Sequence, residues 1–177
     1  AIGLIASVAQ LLVVHPSLPA KSVKELVAVG KRARAGGELT YASTGAGSTP
    51  HLSAEMLKLN AGMRILHVPY RGTPPALTDL LAGNVSFMFA NLLSVLPQVQ
   101  QGRLRALAIT SAKRSALTPN IPAVAETYPG YESGSWYGLY APTGTPREAI
   151  TRLHEALTRA QQTPEVREKF AAQGVDL

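Results

Sequence analysis

The 177 residues are 46% hydrophobic and 16% charged, carry a net charge of +6 and include no cysteine, with a mean hydropathy of +0.07 and a pI of about 9.8. That balance describes a packed core and excludes a disordered or coiled-coil chain, and the lack of cysteine excludes disulfides, thiolate zinc sites and cysteine nucleophiles. The basic residues cluster only at Lys31-Arg32-Ala33-Arg34 and Lys113-Arg114, without interleaved aromatics, so the charge suits an anionic ligand or solubility, not a nucleic-acid partner.

The chain opens Ala1-Ile2-Gly3-Leu4 without methionine and without the n-region, h-region and cleavage site of a signal peptide, as a fragment or processed product does. No apolar run is long enough to span a bilayer. Residues 8–14 (VAQLLVV) form a β-rich apolar run that stops at His15-Pro16 and predicts a buried strand. Ser22 with Glu25 is a capping-box signature, and Val23, Leu26, Val27 and Gly30 share one helical face ahead of Gly36-Gly37.

The central stretch is residues 39–59, LTYASTGAGSTPHLSAEMLKL. A short strand passes into a small-residue loop, and Thr49-Pro50 suits a helix start, with Leu52, Met56 and Leu59 as its buried face. The glycines keep side chains away, so backbone N–H groups of residues 45–49 at a helix N-terminus form an anion site; an ordinary tight βα turn is the bland alternative. A Cβ at Gly47 is expected to intrude on the anion path. The loop is neither a dinucleotide fingerprint, since Ser48-Thr49-Pro50 supplies no third glycine, nor a P-loop, since no lysine lies between Glu38 and Met56. A carboxylate fits it better than a triphosphate.

Residues 65–68 predict a further strand, running into Pro69-Tyr70-Arg71-Gly72. Thr73-Pro74 then starts a helix striped by Leu77, Leu80 and Leu81 and closed by Gly83. A strand at 85–89 leads to Ala90-Asn91 and a short helical stretch in which Pro97 forbids a long regular helix; residues 104–110 predict the next strand. This alternation predicts a parallel, right-handed α/β sheet with the loops at 43–49, 70–73 and 90–92 along its carboxyl rim. Residues 111–135 are rich in loop formers, 136–140 (WYGLY) predict an aromatic strand, and Thr145-Pro146 and Thr163-Pro164 open two terminal helices. Ile150, Leu153 and Leu157 stripe the first helix, Val166 and Phe170 mark the second, and Gly174 follows.

The runs YASTGAGSTPHLSAEMLK, HVPYRGTPPALTDLLAGNVSFMF, GRLRALAITSAKRS and SWYGLYAPTGTP resemble, in order and over nearly the whole chain, the periplasmic solute receptors of tripartite tricarboxylate transporters, the Bug family. The resemblance implies an α/β fold with a parallel-rich sheet flanked by helices, like a type II periplasmic binding protein, present here as an incomplete two-domain receptor. Residues 1–130 then correspond to the second, ligand-binding domain and 131–177 to a crossover strand and helices of the otherwise missing first domain. The implied ligand is a small organic carboxylate, whether a di- or tricarboxylate, an acidic amino acid or an aromatic acid. Membrane transporter subunits are the partners of the complete protein. Carried over by position, the ligand contacts are Ser43, Gly45, Ala46, Gly47, Ser48, Thr49, His51, Tyr70, Arg71, Gly72 and Asn91. Ala46 stands where the family often has a polar side chain, and Arg71 where lysine is commoner.

No catalytic set, metal site or cofactor is expected. Ser48 and His51 are three apart, but no carboxylate is placed by sequence to orient the imidazole. Gly134-Ser135-Trp136-Tyr137-Gly138 puts its serine one place too early for a nucleophile elbow. His15, His51, His67 and His154 are dispersed. Arg71 is either a bidentate carboxylate clamp or a solvated loop arginine. Tyr70 and Trp136 suit packing at a cleft margin, and Lys31 to Arg34 a solvated helix end. A transport receptor that binds without chemistry is the leading reading; an effector-binding regulatory domain of the same fold and a small α/β enzyme are the alternatives. The terminal stripe needs a covering surface, and the chain is expected to self-associate through it.

Overall fold

The computed structural model describes residues 1–32, 39–172 and 175. The expected helix stops at Gly36-Gly37 and Gly174, and Ala33-Arg34 of the basic cluster, lie outside these residues. The chain divides into two compact units, Ala9–Gly134 and Ala1–Val8 with Ser135–Leu177. Residues 1–8, expected with the unit that follows them, therefore group with the C-terminal segment.

In the larger unit the elements run β1 (Gly3–Val14, entering from the other unit), α1 (Val23–Arg32), β2 (Thr40–Ser43), α2 (Thr49–Ala61), β3 (Leu66–Pro69), α3 (Thr73–Leu81), β4 (Phe87–Asn91), α4 (Leu92–Gln100) and β5 (Arg105–Ile109). The strand order is β3-β2-β4-β1-β5. β2 pairs in parallel with β3 and β4, whereas β1 runs antiparallel to both β4 and β5. Four strands thus point one way, a parallel-rich sheet as expected, and β1 alone of the five departs from the parallel direction that the alternation predicts. The β4-α4-β5 connection steps over β1, and the strand that fills the gap is free to run against its neighbours.

Helices cover both faces, so β1 is apolar at successive positions instead of alternating. Leu12 and Val14 pack with Leu26 of α1 and Leu57 of α2; Leu11 and Val13 pack with Leu80 of α3 and Val95 of α4. All four β1 side chains are fully buried, and each contributes about 1.5–3 kcal/mol by leaving water. Truncating Leu12 to alanine is worth about 2–5 kcal/mol.

The capping box at α1 is half formed. Ser22 Oγ accepts from the Glu25 N–H at 3.2 Å, while Glu25 reaches past it to the Lys21 N–H at 2.7 Å. The buried face Val23, Leu26, Val27 and Gly30 is as predicted. That of α2 is so only at Met56, which packs half-buried against the core: Leu52 and Leu59 are 56% and 79% exposed, and Pro50, Ser53, Ala54, Leu57 and Ala61 are buried. Small residues let α2 close tightly on the sheet around Leu57 and turn Leu52 and Leu59 outward. Pro97 sits inside α4, which nonetheless continues to Gln100.

The smaller unit has β6 (Gly134–Leu139) paired to β1, followed by α5 (Arg147–Gln162) and α6 (Pro164–Ala172). Gln161 Nε2 of α5 donates to the Leu4 and Ile5 carbonyls, and His154 Nδ1 lies 2.9 Å from the Ile2 carbonyl. The expected threonine caps do not form, because Thr145 and Thr163 donate backwards, to the Pro142 and Ala160 carbonyls. No residue of α5 or α6 is fully buried. No helix among the described residues is long and apolar enough to cross a membrane.

Candidate functional site

The parallel strands β2, β3 and β4 end at Ser43, Pro69 and Asn91, and register sets Ser43 opposite Pro69 and Ala42 opposite Met88. The three loops that follow therefore share one rim, the edge where ligands of such sheets bind. The Tyr70 N–H donates to the Ser43 carbonyl at 3.0 Å, tying the second loop to the first. Asn91 is exposed at the head of α4 and lies opposite Gln10 of the reversed β1.

The first loop turns on two glycines with positive φ, Gly45 at 127° and Gly47 at 77°, a backbone region that side chains disfavour. Its amides are not open as expected. The Gly45 N–H donates to Ser43 Oγ at 3.1 Å, the Gly47 N–H to His51 Nδ1 at 3.1 Å and the Ser48 N–H to the Gly45 carbonyl at 3.3 Å. Small residues and a nearby imidazole allow the turn to satisfy these three amides internally before any anion arrives. Ser48, not Thr49, is the N-cap residue of α2, and its hydroxyl donates back to the Gly45 carbonyl at 2.6 Å. Thr49 is the first helical residue. A Cβ on Gly47 would meet no protein atom within 4 Å, so the space it would enter is open on the side where an anion is expected, and the positive φ adds a conformational constraint. Ala46 and Gly47 are exposed, while Ser43 is buried.

Behind the loop stand groups that local spacing did not mark. His67 Nε2 lies 2.6 Å from Ser43 Oγ. Its ring stacks on Tyr41 at 4.8 Å and meets that of His51 at 4.3 Å. The Tyr41 hydroxyl donates to Glu55 Oε1 at 2.7 Å, and Lys58 pairs with Glu55 at 2.8 Å. Burial and then the Glu55 carboxylate push the Tyr41 pKa up, so the hydroxyl stays protonated. Burial raises Glu55, but Lys58 and Tyr41 outweigh it and hold the carboxyl below its ordinary value. Burial, followed by the neighbouring His51, lowers His67.

In the second loop Tyr70 donates to Asp79 Oδ2 at 2.6 Å, and Asn84 donates to Oδ1 of the same carboxylate. Burial and this bond push the Tyr70 pKa up to about 12. Gly72, at φ 111°, leads into α3. Arg71 is exposed, and among the described residues no carboxylate pairs with it. The rim also carries a polar cluster that the sequence reading missed. Gln10, 2% exposed, accepts from Ser53 Oγ at 2.9 Å, Ser53 Oγ lies 2.7 Å from Ser133 Oγ, and Tyr131 donates to the Ser53 carbonyl. Its signal was a lone glutamine inside an apolar strand. Among the described residues no group of three or more histidines, cysteines and acids is placed to hold a metal ion.

The family model described as the tripartite tricarboxylate transporter family receptor matches residues 1–177. Protein BugT of Bordetella pertussis is 38% identical over 174 residues, 98% of this chain and 53% of that protein. The R. palustris protein Rpa4515, solved with adipate, superposes with a TM-score of 0.83 at 37% identity, covering 99% of this chain and 58% of the other. MatC (Rpa3494) from Rhodopseudomonas palustris, solved with bound malate, gives 0.78 at 28% identity over 98% and 59%. The chain spans about half the length of the relatives it matches.

Proposed function

The chain belongs to the tripartite tricarboxylate transporter receptor family, and from that premise we propose that it captures a small organic carboxylate in the periplasm for the membrane subunits of such a transporter. The observation that carries the reading is the convergence of the loops at 43–49, 70–73 and 90–92 on one rim. They hold no acidic residue and one arginine, Arg71, which no carboxylate among the described residues neutralises.

In this reading Arg71 receives the carboxylate head through a charge-assisted, two-pronged contact. Ser43, Gly45, Ala46, Gly47, Ser48, Thr49 and His51 shape the opposite wall, with Tyr70, Gly72 and Asn91 completing it. Capture proceeds without turnover. In this reading the unit Ala9–Gly134 is the second, ligand-binding domain, and Ala1–Val8 with Ser135–Leu177 belongs to the first. Adipate and malate, held by two structural relatives, favour aliphatic diacids over acidic amino acids and aromatic acids.

Titration calorimetry with adipate, malate, aspartate and benzoate tests this, with arginine as a cationic control. Saturable binding of a carboxylate at one site, weakened about tenfold or more by Arg71→Ala, is expected, as for the loss of one charged hydrogen-bonding partner. Binding of none of the four acids, or an Arg71→Ala isotherm equal to wild type, overturns the reading. Ligand recovered after incubation should be chemically unaltered by mass spectrometry; a product that disappears in His51→Ala would establish turnover instead.

A further inference from the structure

Two imidazoles hold the carboxylate loop in its self-satisfied form. His51 Nδ1 accepts from the Gly47 N–H at 3.1 Å. His67 Nε2 lies 2.6 Å from Ser43 Oγ, which accepts from the Gly45 N–H. Because Nδ1 of His51 is an acceptor, that ring is neutral and keeps its proton on Nε2. A second proton converts Nδ1 into a donor facing a donor, and the Gly47 contact must break. His67 differs: a charged Nε2–H can still donate to Ser43 Oγ, whose own proton then goes to the Gly45 carbonyl 3.1 Å away. That strut survives in either charge state.

We propose that His51 and His67 are positioning residues of the carboxylate loop, and that carboxylate capture takes up a proton at His51, releasing the Gly47 N–H to the ligand. The proposal rests on the carboxylate reading above. The groups facing the pair are Tyr41 of β2, stacked on His67 and 6.4 Å from His51, and Glu55 and Lys58 of α2, which pair with each other. Burial and the adjacent His51 hold His67 below the ordinary imidazole value; geometry singles out His51, since its Gly47 contact alone is lost when the ring is charged, while the His67 strut survives. Two cations 4.3 Å apart repel, which limits the pair to one. His51 also sits in the first turn of α2, where the helix dipole opposes a positive charge; an anion docked at the same end cancels that opposition. Proton and carboxylate therefore favour each other, and the coupling is reciprocal.

The test has two arms. In the free protein, the Gly47 amide resonance should move with the His51 ring as pH falls from 8 to 5.5, and should not move in His51→Gln, whose carboxamide accepts the same bond without titrating. In calorimetry with adipate, Kd should fall about fivefold or more from pH 8 to pH 6, within the tenfold per pH unit that one linked proton allows, with proton uptake seen as a buffer-dependent heat. His51→Gln should flatten both. An amide that stays still across the window overturns the proposal whatever adipate does, and so does an unchanged pH slope in His51→Gln. If adipate and malate fail to bind at any pH, the carboxylate reading falls, while the wild-type amide arm still decides the switch.

Discussion

The Tyr70 hydroxyl donates to the Asp79 carboxylate at 2.6 Å, so the loop that carries Arg71 is anchored from the side chain before it. Tyr70→Phe removes that anchor and leaves the ring's packing. Adipate affinity should fall about two- to fivefold, less than the full worth of a hydrogen bond to a carboxylate because the lost bond steadies the loop without touching the ligand, with a modest loss in thermal midpoint. The pH signature is two-sided. Tyr70, raised to about 12, contributes stability that is present below the ordinary tyrosine value and lost as pH rises through about 12. Asp79, lowered, contributes stability present above the ordinary carboxylate value and lost as pH falls through its depressed one. Thermal melts across pH should show both limbs shrinking in Tyr70→Phe; unchanged limbs would sink the assignment.

Gly47 has open space where a Cβ would go but a φ of 77°. Gly47→Val should destabilise by about 1–2 kcal/mol, the left-handed penalty for a side chain. Gly47→Asn should lose much less, since asparagine tolerates that region. Denaturant midpoints separate the two causes. Equal losses in both variants would mean that space, not backbone conformation, is limiting.

Arg114 grips Glu126 with two nitrogens, each at 2.7 Å, and the Ala123 N–H adds a third contact. The Arg114 guanidinium, then the Ala123 amide, hold the Glu126 pKa at about 2. A depressed acid stabilises the fold above its ordinary value, near 4.5, and that contribution is lost as pH falls through about 2. Thermal melts should therefore drop more between those limits in wild type than in Glu126→Gln. Both groups are surface-exposed, so high salt should blunt the difference. Parallel curves for the two proteins would remove this pair from the acid response.

Helices α5 and α6 have no fully buried residue, and Trp136 and Leu153 are 63% and 45% exposed. Apolar surface of this kind is uncommon on isolated monomers. The 177-residue chain should self-associate at micromolar concentration, and Leu153→Asp should shift it towards monomer. Sedimentation velocity gives the answer; a wild-type monomer under those conditions would falsify the expectation.

What was legible in the sequence was local and periodic. The α1 face is a clean three-and-four repeat, and it is buried as written. The rim of three loops followed from the alternation of strands and helices, because each loop takes its place from the strand before it. The α2 face was misjudged because Leu52 and Leu59 outweigh Ser53 and Ala54 in apolar content, yet only the small pair permits close approach to the sheet. The loop amides were expected open because their partners differ in reach: His51 is four residues from Gly47, but the His67 that braces Ser43 is 24 residues away on another strand. No local spacing records that contact. Gln10 was hidden the same way, its role set by Ser53, 43 residues on.

The reversed β1 has a consequence for how the chain acquires its fold. The strand lies between β4 and β5, and its partners follow it by about 80 and about 100 residues, so the middle of the sheet closes through long loops at high entropic cost. At about 5–20 residues per second, a ribosome leaves VAQLLVV waiting for several seconds before either neighbour exists. During that interval an apolar strand with both edges open is a template for the wrong partner. Biogenesis of this domain should accordingly depend on a holdase, and slowing translation after β1 should lower its soluble yield.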